Sequence, residues 1–276
     1  MILVTGATGN VGREVVHALI EDGHQVCALV RHPKQSALPP GAEEVVGDLN
    51  RPETLSAALA GVQGVFLLSG YQDMPGVLAE MRRAGVKQVV LLSGSSAPVG
   101  DMSNAITRYM ARSELAVRES GVPWTILQPN SFMSNALRWV PQIRAGNLVR
   151  APFPSVRVAA IDPFDIAQVA VRALISSEHE GKIYRLSGPE SLLPVEQVSI
   201  LGQVLGRDLH FTGLSDEEAR AEMSASMPEE YVEAFFSFFA EGKLDESRVL
   251  PTIEDITGKR PRTFEQWAHA HAKAFQ

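Results

Sequence analysis

The chain opens Met1-Ile2-Leu3-Val4-Thr5-Gly6-Ala7-Thr8-Gly9-Asn10-Val11-Gly12-Arg13, a short apolar strand running into three glycines and then an amphipathic stretch. Each glycine has its own task. Gly6 permits a tight strand-to-helix turn, Gly9 lets the backbone approach a pyrophosphate, and Gly12 lets the helix pack closely on the strand. A phosphate would then meet the unpaired N–H groups and positive dipole end of that helix. Val11, Val15, Val16, Leu19 and Ile20 recur at helical spacing, Gly23 stops the helix, and a second apolar run spans residues 26–30. Strand, glycine turn, helix and strand thus follow in the order a dinucleotide site requires.

Working outward, the alternation continues with a strand at 45–46, a helix near 52–60, a strand at 62–68, a helix near 74–84, a strand at 86–92, a helix at about 103–120 and a strand at 124–127. This predicts an α/β fold, a Rossmann-type doubly wound parallel sheet of six strands. Asn50 with Glu53 predicts a capping box, with Pro52 in the first turn. Glu114 and Arg118, four apart, read as a solvated helix-surface pair. Beyond Pro129 the alternation loosens around Pro141, Pro152, Pro154 and Pro163. Residues 1–129 are therefore expected as the dinucleotide-binding domain. Residues 130–276 are expected as a smaller, mostly helical substrate-binding part interleaved with it. In that part helices are read at 165–175 and 195–205, strands at 183–186 and 209–211, and a second capping box at Ser215 and Glu218. Pro228 opens a helix whose Tyr231, Phe235 and Phe238 share a face, expected as core between C-terminal helices, with a substrate lid or subunit contact as the alternative.

The composition narrows the class. The 276 residues are 45% hydrophobic and 21% charged, ordinary for a soluble globular protein, and no apolar run is long enough to span a bilayer. A formal charge of −7 without a long Lys/Arg cluster gives nucleic acid nothing to attract it. The first strand begins at residue 1, which leaves no room for a targeting leader, and the single Cys27 has no internal disulfide partner; the cytoplasm is the expected address. His210, His269 and His271 lack metal-ligand spacing, so no metal site is expected. Monomer and homodimer both remain open.

The glycine spacing resembles the T-G-A-T-G-x-x-G form of extended and atypical short-chain dehydrogenase/reductases. In such folds an acidic residue ending the second strand selects NAD, whereas an arginine accommodates the 2′-phosphate of NADP. Residues 28–34 contain no acid, and Arg31 ends the strand. NADP(H) is accordingly expected over NAD(H), with Arg31 as the main determinant and Lys34 as a weaker one. Asp48 is placed to accept from adenine or to make a turn. The expected cofactor contacts are Thr5, Gly6, Thr8, Gly9, Asn10, Val11, Gly12, Arg31, Lys34, Asp48, Leu68 and Ser93.

The usual proton donor of these reductases is a tyrosine with a lysine four residues later. Here Tyr109 is followed at that distance by Ser113, and no lysine occurs between Lys87 and Lys182. Tyr109 is the candidate catalytic acid, with a purely structural hydroxyl as the alternative. An acceptor needing little proton assistance fits this gap. A phenolate, with a conjugate acid near pKa ~10, is about six units less basic than an alkoxide, which removes about 8 kcal/mol of charge stabilisation from the protein's task.

With these features, the chain resembles the NmrA-like atypical short-chain dehydrogenase/reductases over nearly its whole length. Residues 124–135, 161–167 and 257–264 add to the likeness, while Met110 stands where members often carry a histidine. The resemblance implies an NADPH-dependent oxidoreductase passing hydride to a quinone or conjugated aromatic ketone. By analogy it also points to bacterial aromatic polyketide tailoring with a partner oxygenase. A non-catalytic NADP(H) sensor that binds a protein partner is the alternative. The resemblance places Asn130, Phe132, Met133 and Asn135 beside the nicotinamide as substrate contacts, with Trp139 and Phe153 at the rim. An ordinary packing cluster would use the same residue types. Asp162 and Asp165 are read as helix-start acids without catalytic duty.

Overall fold

The computed structural model describes residues 1–32 and 38–276. Strands and helices alternate as β1 (Ile2–Val4), α1 (Asn10–Glu21), β2 (Val26–Val30), β3 (Glu43–Val46), β4 (Gly64–Leu68), α2 (Met74–Arg83), β5 (Gln88–Leu92), α3 (Ala105–Glu119) and β6 (Trp124–Pro129). The second half contributes α4 (Val140–Ala145), β7 (Leu148–Ala151), α5 (Pro163–Ile175), β8 (Lys182–Leu186), α6 (Pro194–Leu205), β9 (His210–Gly213), α7 (Asp216–Ser224), α8 (Glu229–Phe239), α9 (Thr252–Thr257) and α10 (Phe264–His271). The main sheet runs in the order β3-β2-β1-β4-β5-β6-β8, every neighbouring pair parallel. Strands covered on both faces are continuously apolar, and β1, β2 and β5 are buried along their whole length.

Six of these strands match the expected ones. The seventh, β8, lies in the segment assigned to the substrate part, yet it joins β6 in register from Thr125 opposite Lys182 to Pro129 opposite Leu186. Helix α5 likewise returns to the sheet, packing Ile166, Ala167, Val169, Ala170, Ala173 and Leu174 with Val11, Val15, Val16 and Leu19 of α1 on one face. The other face is covered by Val77, Leu78 and Met81 of α2 and Val117 of α3. The chain thus crosses residue 129 and returns. Two further clusters sit at the C-terminal strand edge: one around Phe264 and Trp267 of α10, and a small one joining α7 to α8.

Several local expectations are corrected. The helix at 52–60 reduces to one 3₁₀ turn, Pro52–Thr54, and the Asn50–Glu53 capping box does not form. Side chains outcompete helix there. Thr54 Oγ1 accepts the Asp48 N–H at 2.9 Å and donates to the Arg51 carbonyl at 2.7 Å, while the Asn50 N–H goes to Asp48 Oδ1 at 3.0 Å. Glu114 is not a solvated surface acid: it is buried, and Oε1 accepts from Ser93 at 2.6 Å and Gln128 at 2.8 Å, with Arg118 on Oε2 at 2.6 Å. On α8 only Phe238 of the expected trio is core; Tyr231 and Phe235 are half-buried and border cavities. The Ser215–Glu218 box does form, and Asp162 caps α5 by accepting the Phe164 N–H at 2.9 Å.

Candidate active site

The glycine turn is built by close contacts that exclude side chains. Gly6 has φ +62°, a left-handed conformation that costs glycine little, and a Cβ added there would lie 2.5 Å from Leu68 Cδ1. A Cβ on Gly12 would sit 2.2 Å from the Gly6 carbonyl oxygen, so α1 packs on the turn itself. Gly9 occupies the N-cap with extended backbone and no side-chain cap, which leaves the first-turn N–H groups of α1 for an anion. Beside this turn lies a groove of about 490 Å³ lined by Gly6, Thr8, Arg31, His32, Asp48 and Asn50. These residues fit a dinucleotide. Tyr71 also lines the groove, and burial pushes its hydroxyl up in pKa against the opposing pull of Arg31. Tyr71, a lone aromatic in a loop, carries no periodic or motif signal.

Three expected cofactor residues spend their polar groups elsewhere. Thr5 is fully buried and accepts the Leu68 N–H at 3.1 Å, stitching β1 to β4 behind the turn. Ser93 is buried and donates to Glu114. Asp48 Oδ1 is engaged by its own turn. Lys34 lies outside the described residues. Asn10 Nδ2 donates to Ser134 Oγ at 3.1 Å, which ties the start of α1 to the segment after β6.

That segment opens onto a cavity of about 600 Å³. Phe132, Asn135, Trp139 and Phe153 line it together, and Met223, Met227, Phe235 and Phe239 close it from α7, α8 and the turn between them. The aromatic stripe was the available signal for α8; its spacing alone does not tell cavity wall from core. Phe153 holds φ +55°, rare for a bulky residue, and its ring packs on Phe236 at 5.2 Å and Phe239 at 5.4 Å, which offsets the backbone strain. Asn130 and Met133 are absent from the lining. Asn130 is buried, its Nδ2 donating to the carbonyls of Glu246 at 3.0 Å and Ala159 at 3.3 Å, and Met133 belongs to the C-terminal core. For these two, the packing alternative holds.

Two arginines reach the cavity. Arg150 is paired with Glu218 at 2.8 Å and Glu222 at 3.2 Å. Arg138 has no carboxylate partner among the described residues; its polar contact is Asn135 Oδ1 at 3.4 Å, and surrounding protein lowers its pKa by desolvation.

Tyr109 stands elsewhere. It lines a separate cavity of about 450 Å³ between α2, α3 and α8, with Arg108, Arg112 and Tyr231. Its pKa is raised by burial, and then by Tyr231. Asp162 and Asp165 serve α5 as expected. Asp165 accepts the Arg262 N–H at 2.8 Å, and burial carries its pKa up to about 6. One buried acid was missed: Glu246, in the irregular stretch before α9, accepts from Ser95 and Ser131. An isolated glutamate outside any periodic segment carries no sequence signal.

Comparison with known proteins gives this geometry a family. A family profile described as NAD(P)H-binding matches residues 6–177. The chain is 41% identical to a (4-alkanoyl-5-oxo-2,5-dihydrofuran-3-yl)methyl phosphate reductase of Streptomyces griseus, over 100% of this chain and 99% of that protein. It is 36% identical to an NAD(P)H azoreductase of Xenophilus azovorans, over 100% and 99% of the two chains. The crystal structure of a Citrobacter sp. triphenylmethane reductase complexed with NADP(H) superposes with a TM-score of 0.78 at 26% identity, covering 98% of this chain and 99% of that one. The chain belongs to the NAD(P)H-binding family. It is an NAD(P)H-dependent reductase.

Proposed function

We propose that the chain uses NADPH in preference to NADH and reduces a flat, electron-poor conjugated acceptor, a quinone or conjugated carbonyl compound, held in the 600 Å³ cavity. The observation that carries this reading is the Asn10–Ser134 bond, which ties the first residue of α1 to the segment whose Phe132 and Asn135 line the aromatic cavity. The coenzyme supplies hydride when bound. The turn residues Gly6 to Gly12 would hold its pyrophosphate, and Arg31 the 2′-phosphate. Phe132, Trp139 and Phe153 offer ring faces to a planar acceptor, and Met223 and Met227 adapt to its outline. Catalysis then rests chiefly on alignment.

The relatives support an acceptor of this kind. Their names specify a dihydrofuranone bearing a phosphate, azo compounds and triphenylmethane substrates, all conjugated. Arg138, which has no carboxylate partner among the described residues, adds a preference for acceptors with an acidic substituent, because a guanidinium binds phosphate or carboxylate through paired N–H groups. Trp139 supplies the test. Titrating quinones into NADP-loaded protein should quench tryptophan fluorescence saturably, and Trp139→Phe should abolish that component, since Trp124 and Trp267 lie outside the cavity lining. Undiminished quenching in the variant counts against this cavity as the acceptor site.

A further inference from the structure

Tyr109 of α3 lines a different cavity, and the buried acid nearest the acceptor cavity by its hydrogen bonds is Glu246, through Ser131. Glu246 is buried to 4% exposure and reaches the C-terminal ends of two neighbouring strands. Oε1 accepts from Ser95 Oγ at 2.5 Å, after β5, and from the Ser131 N–H at 3.0 Å, after β6. Oε2 meets Ser131 Oγ at 2.5 Å. Ser131 is half-buried and lines the acceptor cavity beside Phe132, so a single hydroxyl stands between the buried carboxyl and the substrate space. Main-chain bonds fix this arrangement: the Glu246 carbonyl accepts from Ala159 N–H at 2.7 Å and Asn130 Nδ2 at 3.0 Å. Asn130, expected to touch substrate, instead anchors the acid.

We infer that Glu246, acting through Ser131, provides the proton that completes reduction of the acceptor, a role the tyrosine–lysine pair would otherwise fill. This rests on the reductase reading. Once hydride has added to one end of the conjugated acceptor, the displaced electron pair ends on oxygen at the other end, as an enolate or phenolate. The Ser131 O–H donates its proton to that oxygen, forming the new O–H bond. With its hydroxyl turned from Oε2 toward the acceptor, Ser131 Oγ takes the proton of the Glu246 carboxyl in turn, the reverse of the Ser131 Oγ–H to Oε2 bond in the resting structure. Glu246 is left as a carboxylate that accepts from Ser95 Oγ–H and Ser131 N–H, and water reprotonates it when product leaves. Burial raises the Glu246 pKa, the three hydrogen bonds from Ser131 and Ser95 oppose the rise, and Arg185 of β8 is the charged group that also opposes it. Asp245, next in the chain, is held low by Ser247 and also faces Arg185. Glu246 is a positioning and proton-storing residue; Ser131 is the group that touches substrate.

Two readouts test the relay. Infrared spectra of the coenzyme-free protein followed across pH should contain a protonated-carboxyl band that persists above the range of an exposed glutamate and that Glu246→Gln removes; identical spectra would overturn the proposal. In turnover of a conjugated ketone, Ser131→Ala should lower kcat about tenfold to a hundredfold, at the low end for general-acid catalysis because such acceptors need little help, with KM changed less than about threefold. Wild-type kcat should fall at alkaline pH as Glu246 ionises, and Glu246→Gln should give a lower, flat profile. If Glu246→Gln does not fold, Ser131→Ala still decides, since it retains the carboxyl and the Ser131 N–H bond. Turnover with unchanged kcat in Ser131→Ala sinks the relay alone, whereas absence of turnover with every acceptor sinks the reductase reading beneath it.

Discussion

Alanine substitutions at Gly12 and Gly9 should separate two jobs that one glycine motif combines. A Cβ on Gly12 would lie 2.2 Å from the Gly6 carbonyl oxygen and 2.6 Å from its carbon, both backbone atoms of a turn that cannot swing aside. Ordinary contact needs roughly 1 Å more, so the turn or α1 must shift. Overpacking of this kind costs about 1–3 kcal/mol. The same carbonyl accepts the Gly9 N–H at 2.8 Å, and losing that bond adds about 1 kcal/mol. Gly12→Ala should therefore lose about 2–4 kcal/mol, a fall in Tm of roughly 5–15 °C for a chain of this size. It should also weaken NADPH binding, because displaced N–H groups no longer converge on phosphate. On Gly9 a Cβ would meet only the Gly6 oxygen, at 3.2 Å, on an ordinary extended backbone. Gly9→Ala should keep Tm within about 2 °C and lose about tenfold or more in NADPH affinity, about 1.4 kcal/mol, because the methyl occupies the approach of the pyrophosphate. Thermal unfolding without coenzyme and calorimetric titration with it read the two effects independently. Wild-type Tm in Gly12→Ala, or equal losses of stability in both variants with no separate binding defect in Gly9→Ala, would refute the reasoning.

Arg31→Glu should weaken NADPH roughly tenfold to a hundredfold while sparing NADH, the loss of a charge-assisted phosphate contact; parallel losses for both coenzymes in calorimetry would contradict that role. Asp165, with its folded pKa raised from 3.8 to about 6, binds its proton more tightly folded than unfolded. Its ionisation therefore costs stability as pH rises from about 4 through 6, up to about 3 kcal/mol, and the cost is complete at neutral pH. Asp165→Asn should flatten that stretch of the denaturant-derived stability profile; a gap from wild type that is constant with pH would deny the linkage. Arg138→Met should raise KM for a sulfonated quinone at least about tenfold and leave the uncharged quinone within about threefold, and equal changes for both would remove the anion contact.

How far the sequence reached depended on whether a residue's task was local. The glycine turn, the alternation of strands and helices, and the caps at Asp162 and Ser215 were legible because each depends on a few neighbouring residues. Phe132, Asn135, Trp139 and Phe153, close together after β6 and β7, fall in the lining of one cavity. Asn130 and Met133 were not separable from them, because apolar and amide side chains serve cavity walls and cores alike. Glu114 looked like a surface pair in the helix pattern and proved buried because Ser93 and Gln128, from β5 and β6, supply partners no helical spacing can reveal. Glu246 shows the limit most sharply: its partners Ser95 and Ser131 lie 151 and 115 residues away, and only the closed fold brings them to one carboxylate.

The central claim is that hydride passes from NADPH bound at the glycine turn to an acceptor in the aromatic cavity. Its most direct test is an anaerobic single-turnover experiment in which NADPH-loaded protein is mixed with a quinone and the loss of nicotinamide absorbance is followed, in wild type and in Gly9→Ala. One equivalent of NADPH consumed per equivalent of quinone reduced, with the rate saturating in quinone and coenzyme binding impaired in the variant, is the result predicted here. Tight NADPH binding with no oxidation by any quinone, azo compound or conjugated ketone would contradict it.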